Sequence, residues 1–233
     1  MIPLRDDNPA HRTPWVTSTL IGLCVLGQLW QWSLGPEEER LVLQLGLIPA
    51  VLTGHAILDP SLALVPAWVT LFTSMFLHGG LAHLGGNMLY LWIFGNNIED
   101  RLGHLRFVVF YLLCGLAAAA AQVVPQPHSE VPMIGASGAI SGVLGAYLLL
   151  YPHARIHVFM PLSLMFLHTV PALWVLGFWF VFQLLGALLA DTSTGGIAWW
   201  AHVGGFVAGL VLLPLFLLGT APPPRRRRAG PWG

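Results

Sequence analysis

Ser137 stands in the stretch MIGASGAISG (133–142), just ahead of the apolar run VLGAYLLLY (143–151). A serine there is either a small residue that lets helices pack closely or a nucleophile held inside a membrane. Its partners must decide. Ionisable groups in apolar spans are costly to bury and are functional candidates by default. Of the ten histidines, three fall in such surroundings: His78, His83 and His202. His83 and Asn87 lie four residues apart in HLGGN (83–87), so a helix puts both on one face. His202 lies in WWAHVGGFVAGL (199–210). Taken singly, each reads equally well as a polar residue bonded to a neighbouring helix. Taken with Ser137, they make a candidate hydroxyl–imidazole site.

Other chemistries lack their residues. Asp59, Glu99, Asp100, Glu130 and Asp191 all fall in loops or at span ends, so no pair of embedded aspartates exists. There is no HExxH metal motif, and no metal or cofactor is expected. Cys24 and Cys114 sit in apolar runs without ligand spacing and read as packing residues. The formal net charge is zero, which gives no sign of a nucleic-acid partner.

The elements that must hold these groups are membrane spans. The 233 residues are 56% hydrophobic and only 9% charged, with a mean hydropathy of +0.72. A soluble domain carries about 25% charged residues. Six stretches are long enough to cross a bilayer: 15–34, 70–94, 106–124, 133–151, 171–190 and 198–218. With six spans, nine of the ten arginines share one side and only Arg40 lies opposite, so both termini are expected in the cytoplasm. The first outer loop, 35–69, is long and apolar enough to lie partly in the membrane interface. The segment 156–168 is too short to cross and reads as an interfacial or re-entrant piece. Residues 1–14 are expected to form the cytoplasmic N-terminus, 15–219 the six-span domain, and 220–233 a basic, disordered tail whose arginines fix topology or touch anionic lipid.

That topology makes spans 2, 4 and 6 parallel. Ser137 then lies about one turn into span 4 and His202 about one turn into span 6, with His83 and Asn87 at similar depth in span 2. Close approach is encoded as well. Gly138 and Gly142 form a GxxxG, Ser141 and Gly145 repeat the small-residue spacing, and Gly205 and Gly209 match it in span 6.

GASG (135–138), AHVGGFVAG (201–209) and HLGGN together resemble the rhomboid intramembrane serine proteases. The stretch TSMFLHGGLAHLGGNMLYLWIFGNNIEDRLG (73–103) is similar to bacterial members. The resemblance implies an all-α polytopic bundle and a serine endopeptidase with a Ser137–His202 dyad. Ser137 is then the nucleophile and His202 the general base and acid. The oxyanion would meet the Ser137 backbone N–H and the side chains of His83 and Asn87. Gly135 would bend the chain at the helix start, and His78 would have a structural or hydration role. Substrates would be transmembrane proteins entering sideways beside span 5, with helix-weakening residues near the outer face and a small residue before the cut. Trp174, Phe178, Trp179 and Phe182 in that span read first as lipid-facing bulk. A bacterial cytoplasmic membrane is the implied location. Two positions depart from the family pattern. Ser141 stands where many relatives have a tyrosine stacked on the histidine, and Val69 follows Trp68 where an arginine is common. A non-proteolytic relative that binds client helices is the alternative, although such relatives lack the serine or the histidine.

Overall fold

The computed structural model describes residues 1–160, 166–189 and 196–220. Asp191, Pro161 and the four-arginine tail lie outside them. The chain is mostly helical. A strand, β1 (Ile2–Asp6), precedes α1 (Trp15–Ser33), and the segment 35–69 carries α2 (Glu38–Leu45) and α3 (Pro49–Leu52). Then come α4 (Thr70–Thr73), α5 (Leu81–Tyr90), α6 (Asn96–Leu102), α7 (His104–Val123) and α8 (Ser137–Leu150). Strands β2 (Arg155–Phe159) and β3 (Leu167–Pro171) lead into α9 (Ala172–Leu189) and α10 (Trp199–Leu217). Among the described residues, three helices are both long and apolar enough to cross a bilayer: α7, α9 and α10.

Two expected stretches differ from their helices. The stretch 70–94 is not one span. Helix α4 runs into a short 3-10 turn at Ser74–Phe76, the chain breaks at Leu77–Gly80, and α5 starts at Leu81. Gly80 at φ +121° explains the break, because that backbone conformation disfavours any residue with a Cβ. After α5 the helix continues through a π-turn at Leu91–Gly95 into α6, well past residue 94. Likewise α8 begins at Ser137 and not at 133. The serine is therefore the first helical residue, not one turn inside.

Helices α7, α8 and α10 pack against one another, and glycine lets α8 approach both neighbours closely. A methyl group on Gly205 would land on the carbonyl oxygen of Gly138, and one on Gly209 on that of Gly142. On the other side, a Cβ on Gly142 would strike Cys114 of α7. The small-residue stripes thus bring α8 and α10 into backbone contact, and van der Waals packing supplies the attraction. Around them Phe94, Phe107, Phe110, Tyr147 and Phe206 are fully buried.

In the segment 156–168 the described residues include parts of two strands, β2 and β3, of a three-stranded antiparallel sheet in the order β1-β2-β3. Ile156 and Val158 alternate inward with period two, and the partner strand comes from the N-terminus, with Ile2 opposite Phe159. The sheet is tied to α8 by Tyr147, whose hydroxyl donates to Asp6 Oδ2 at 2.6 Å.

Burial holds the Asp6 carboxyl above its ordinary value near 3.8, against the lowering effect of the Tyr147 hydroxyl. A raised folded-state value means that the folded chain prefers protonated Asp6. The associated stability is fully present below the unfolded value and is lost as pH rises through the raised one. Thermal unfolding of Asp6→Asn is therefore expected to lose this pH dependence and to begin no earlier than wild type at neutral pH. Tyr147→Phe removes one of the donors to the carboxyl, leaves the backbone ones, and is expected to cost about 1 kcal/mol.

The segment 35–69 is folded onto the bundle. Leu41, Leu45, Leu47, Ile48 and Ala50 are buried, whereas Ile57, Leu64 and Trp68 are exposed. Leu47 pairs with Met133 as an isolated antiparallel bridge, and Ala50 N–H donates to Ser129 O at 2.9 Å. These contacts hold the strand-like segment that delivers Gly135 and Ser137 to the head of α8.

Candidate functional site

The site forms where α5, α8, α9 and α10 converge. Ser137 is held at the first position of α8. No side chain caps that end, so its hydroxyl is free for another partner, and the first amides of the helix lack intrahelical acceptors. His202 is the fourth residue of α10 and faces α8 across the glycine seam. Its Nε2 lies 2.8 Å from Ser137 Oγ. The two residues are 65 positions apart in the chain, so this contact is a product of the helix packing.

His83 and Asn87 share the inner face of α5, as their spacing predicts, and line the same cavity as Ser137 and His202. That cavity has a volume of about 540 Å³ and is also bordered by Tyr90, Ile140, Trp179 and Gln183. Both α5 side chains can donate into it. Gly79 N–H donates to His83 Nδ1 at 3.3 Å, which puts the ring hydrogen on Nε2. Asn87 Nδ2 is buried with no hydrogen-bond partner. A buried amide donor without an acceptor costs about 1–3 kcal/mol, so a site that keeps one is suited to an acceptor that arrives later.

Gly135 lies beneath these two groups. A Cβ there would come within 2.7 Å of His83 Cε1 and Nε2 and 3.6 Å of Asn87 Nδ2, and its φ is +117°. Both the backbone and the space beside it therefore require glycine. Its N–H donates to Ser74 O at 2.8 Å, which fixes the turn into α8.

His78 is brought close but does not join the group on α5. It sits in the break before that helix, fully buried, with both ring nitrogens unpartnered and its ring centroid 5.1 Å from that of His83 in an edge-on arrangement. Its backbone is clamped by Gln31 of α1, which accepts from His78 N at 2.9 Å and donates to His78 O at 3.0 Å. Gly138, Gly205 and Gly209 form the seam described above. Ser141 turns its hydroxyl back to Ser137 O at 2.6 Å and makes no contact with His202 among the hydrogen bonds of the described residues.

The histidine is held instead by a residue the sequence reading passed over. Gln183 of α9 places Oε1 2.7 Å from His202 Nδ1. Trp179, one turn earlier, lies beside the ring at a centroid distance of 6.0 Å. Of the five aromatics in this helix, Trp174, Phe178 and Phe182 are exposed, whereas Trp179 and Phe180 pack inward. A signal was present, since Gln183 is the one hydrogen-bonding amide in ALWVLGFWFVFQLLGALL (172–189).

Residues 66–219 match the family model described as the rhomboid domain. Over 181 residues the chain is 32% identical to "Rhomboid protein 1, mitochondrial" of Saccharomyces cerevisiae, covering 72% of this chain and 48% of that protein. It is 44% identical over 81 residues to "Rhomboid protease GluP" of Bacillus subtilis, covering 35% of this chain and 15% of the relative. Over another 81-residue match it is 37% identical to "Putative rhomboid protease YdcA" of the same organism, covering 35% of this chain and 40% of the relative. The chain thus spans less than half the length of these relatives.

Proposed function

The chain belongs to the rhomboid family of integral membrane proteins, and from that premise we propose that it is an intramembrane serine endopeptidase. The observation that carries the reading is the 2.8 Å contact of Ser137 Oγ with His202 Nε2 beside two unspent donors. In this mechanism His202 takes the Ser137 proton as the hydroxyl attacks the scissile carbonyl, then returns it to the leaving amine. The resulting ester is hydrolysed by water activated in the same way. The developing oxyanion is met by the Ser137 N–H at the head of α8, by His83 Nε2–H and by Asn87 Nδ2, while the helix dipole favours the charge.

The proposed setting is a six-crossing bundle. Helix α1, the Leu81–Leu102 run and α8 supply the crossings beyond the three long apolar helices. The arginine bias supports both termini on the cytoplasmic side and a site toward the outer face, and the likeness to the Bacillus subtilis relatives supports a bacterial membrane. The exposed Ile57, Leu64 and Trp68 support an outer loop seated in the interface. Substrates are transmembrane proteins entering beside α9, whose Trp174, Phe178 and Phe182 face outward.

The full chain, purified and reconstituted in vesicles with a fluorescent transmembrane substrate, tests this reading. A cut near the outer face supports it, whereas retention of uncut substrate favours the client-binding alternative. Removing a donor is expected to reduce rate without removing the nucleophile. Asn87→Ala should lower kcat by about 10²–10³-fold, with a smaller change in KM. An unchanged kcat would remove Asn87 from the oxyanion site.

A further inference from the structure

We propose that Gln183 is the positioning residue for the base, holding His202 in the tautomer that can accept the Ser137 proton. The proposal rests on the reading of Ser137 and His202 as the catalytic pair. An amide oxygen only accepts hydrogen bonds, so the 2.7 Å contact of Gln183 Oε1 with Nδ1 requires the hydrogen on Nδ1. Nε2 then keeps its lone pair, and that lone pair faces the serine hydroxyl at 2.8 Å. The opposite tautomer would point an N–H at Ser137 and could not act as a base. One hydrogen bond thus selects the working form of the ring.

Three observations make Gln183 the brace rather than a bystander. Gln183 is only 6% exposed on a helix otherwise built of apolar side chains and glycine, where an unpaired amide is costly. Ser141 is occupied by the Ser137 carbonyl and leaves the histidine unbraced from the α8 side. Trp179 borders the ring from the same helix as Gln183, so α9 alone supplies an aromatic wall and a hydrogen-bond anchor. An uncharged amide fixes tautomer and angle but adds no counter-charge to an imidazolium.

The location of the brace couples the base to α9. This helix is less covered by the rest of the bundle than α7 is. Any outward displacement at Gln183 breaks the bond and frees the His202 ring. The site is therefore fully assembled only when this part of α9 lies against α10.

Gln183→Leu in the full chain, assayed in vesicles, is expected to lower kcat about 10-fold to 100-fold with KM nearly unchanged. That is less than the ~10⁴-fold effect of a wrong tautomer at a site whose partner is a carboxylate. Histidine ¹⁵N NMR should find His202 as the Nδ1–H tautomer in wild type and a mixture in Gln183→Leu. Gln183→Glu keeps an acceptor and should retain the wild-type tautomer. Gln183→Met, which keeps chain length and apolarity, repeats the test if Gln183→Leu fails to fold. A wild-type rate in both apolar variants, or a lost rate with the tautomer unchanged, overturns the proposal. Cleavage that survives Ser137→Ala would instead overturn the dyad reading, and the tautomer measurement keeps the two failures separate.

Discussion

Ser137→Ala is expected to lower the rate of substrate cleavage by at least about 10⁴-fold, and His202→Ala by a similar factor. Neither residue works without the other. Without the hydroxyl there is no nucleophile, and without Nε2 its proton has no acceptor. The double variant should therefore be no slower than either single one, since residues that act as a unit give strongly non-additive losses. The folded state should survive both changes. The Ser137 hydroxyl caps no helix, and its backbone oxygen still accepts from Ser141 in the alanine variant. Unchanged thermal unfolding together with lost cleavage is the expected pair of results for Ser137→Ala, whereas His202→Ala also leaves the buried Gln183 amide unpaired and should unfold somewhat earlier. Initial rates of the purified variants provide the check, and wild-type cleavage by either single variant contradicts the assignment.

Glu99→Ala is expected to be the most damaging single change to stability, at about 3–5 kcal/mol. Glu99 of α6 is fully buried yet serves four donors. It accepts from Val16 N at 2.9 Å, from Thr17 N and Thr17 Oγ1 at 2.7 Å each, and meets His104 Nδ1 at 2.6 Å. Two of these donors are first-turn amides of α1, and His104 opens α7. One carboxylate therefore ties α1, α6 and α7 together and occupies the positive end of α1. Alanine leaves all four donors without that acceptor, and the Thr17 amide and hydroxyl are buried away from water. Glu99→Gln keeps one acceptor but turns an N–H toward donors, so it should lie between alanine and wild type. Equilibrium unfolding in detergent micelles measures the order, and a Glu99→Ala transition coincident with wild type would refute this account of the joint.

Much of the site can be read from short-range patterns. The glycine and serine spacing of residues 138–145 and 205–209 encodes a helix contact, and that contact is what unites Ser137 with His202. The four-residue step from His83 to Asn87 likewise survives as one helical face. The features that escaped depend on distant partners. Glu99 reads as a loop-edge acid until α1 arrives from 82 residues earlier. The segment 156–168 reads as a membrane-dipping piece because its strand partner, β1, lies at the far end of the chain. Gln183 was hidden by the aromatics around it, although Ser141 had already signalled that the usual brace was missing. The break at Leu77–Gly80 was locally encoded by adjacent glycines and was obscured by the long apolar stretch around it.

The central claim is that Ser137 carries the nucleophilic oxygen, and covalent capture tests it most directly. The full chain in vesicles, exposed to a fluorophosphonate and then mapped by peptide mass, should carry the adduct on Ser137. Labelling should vanish in Ser137→Ala and slow sharply in His202→Ala. An adduct on any other residue, or equal labelling in Ser137→Ala, would contradict the account.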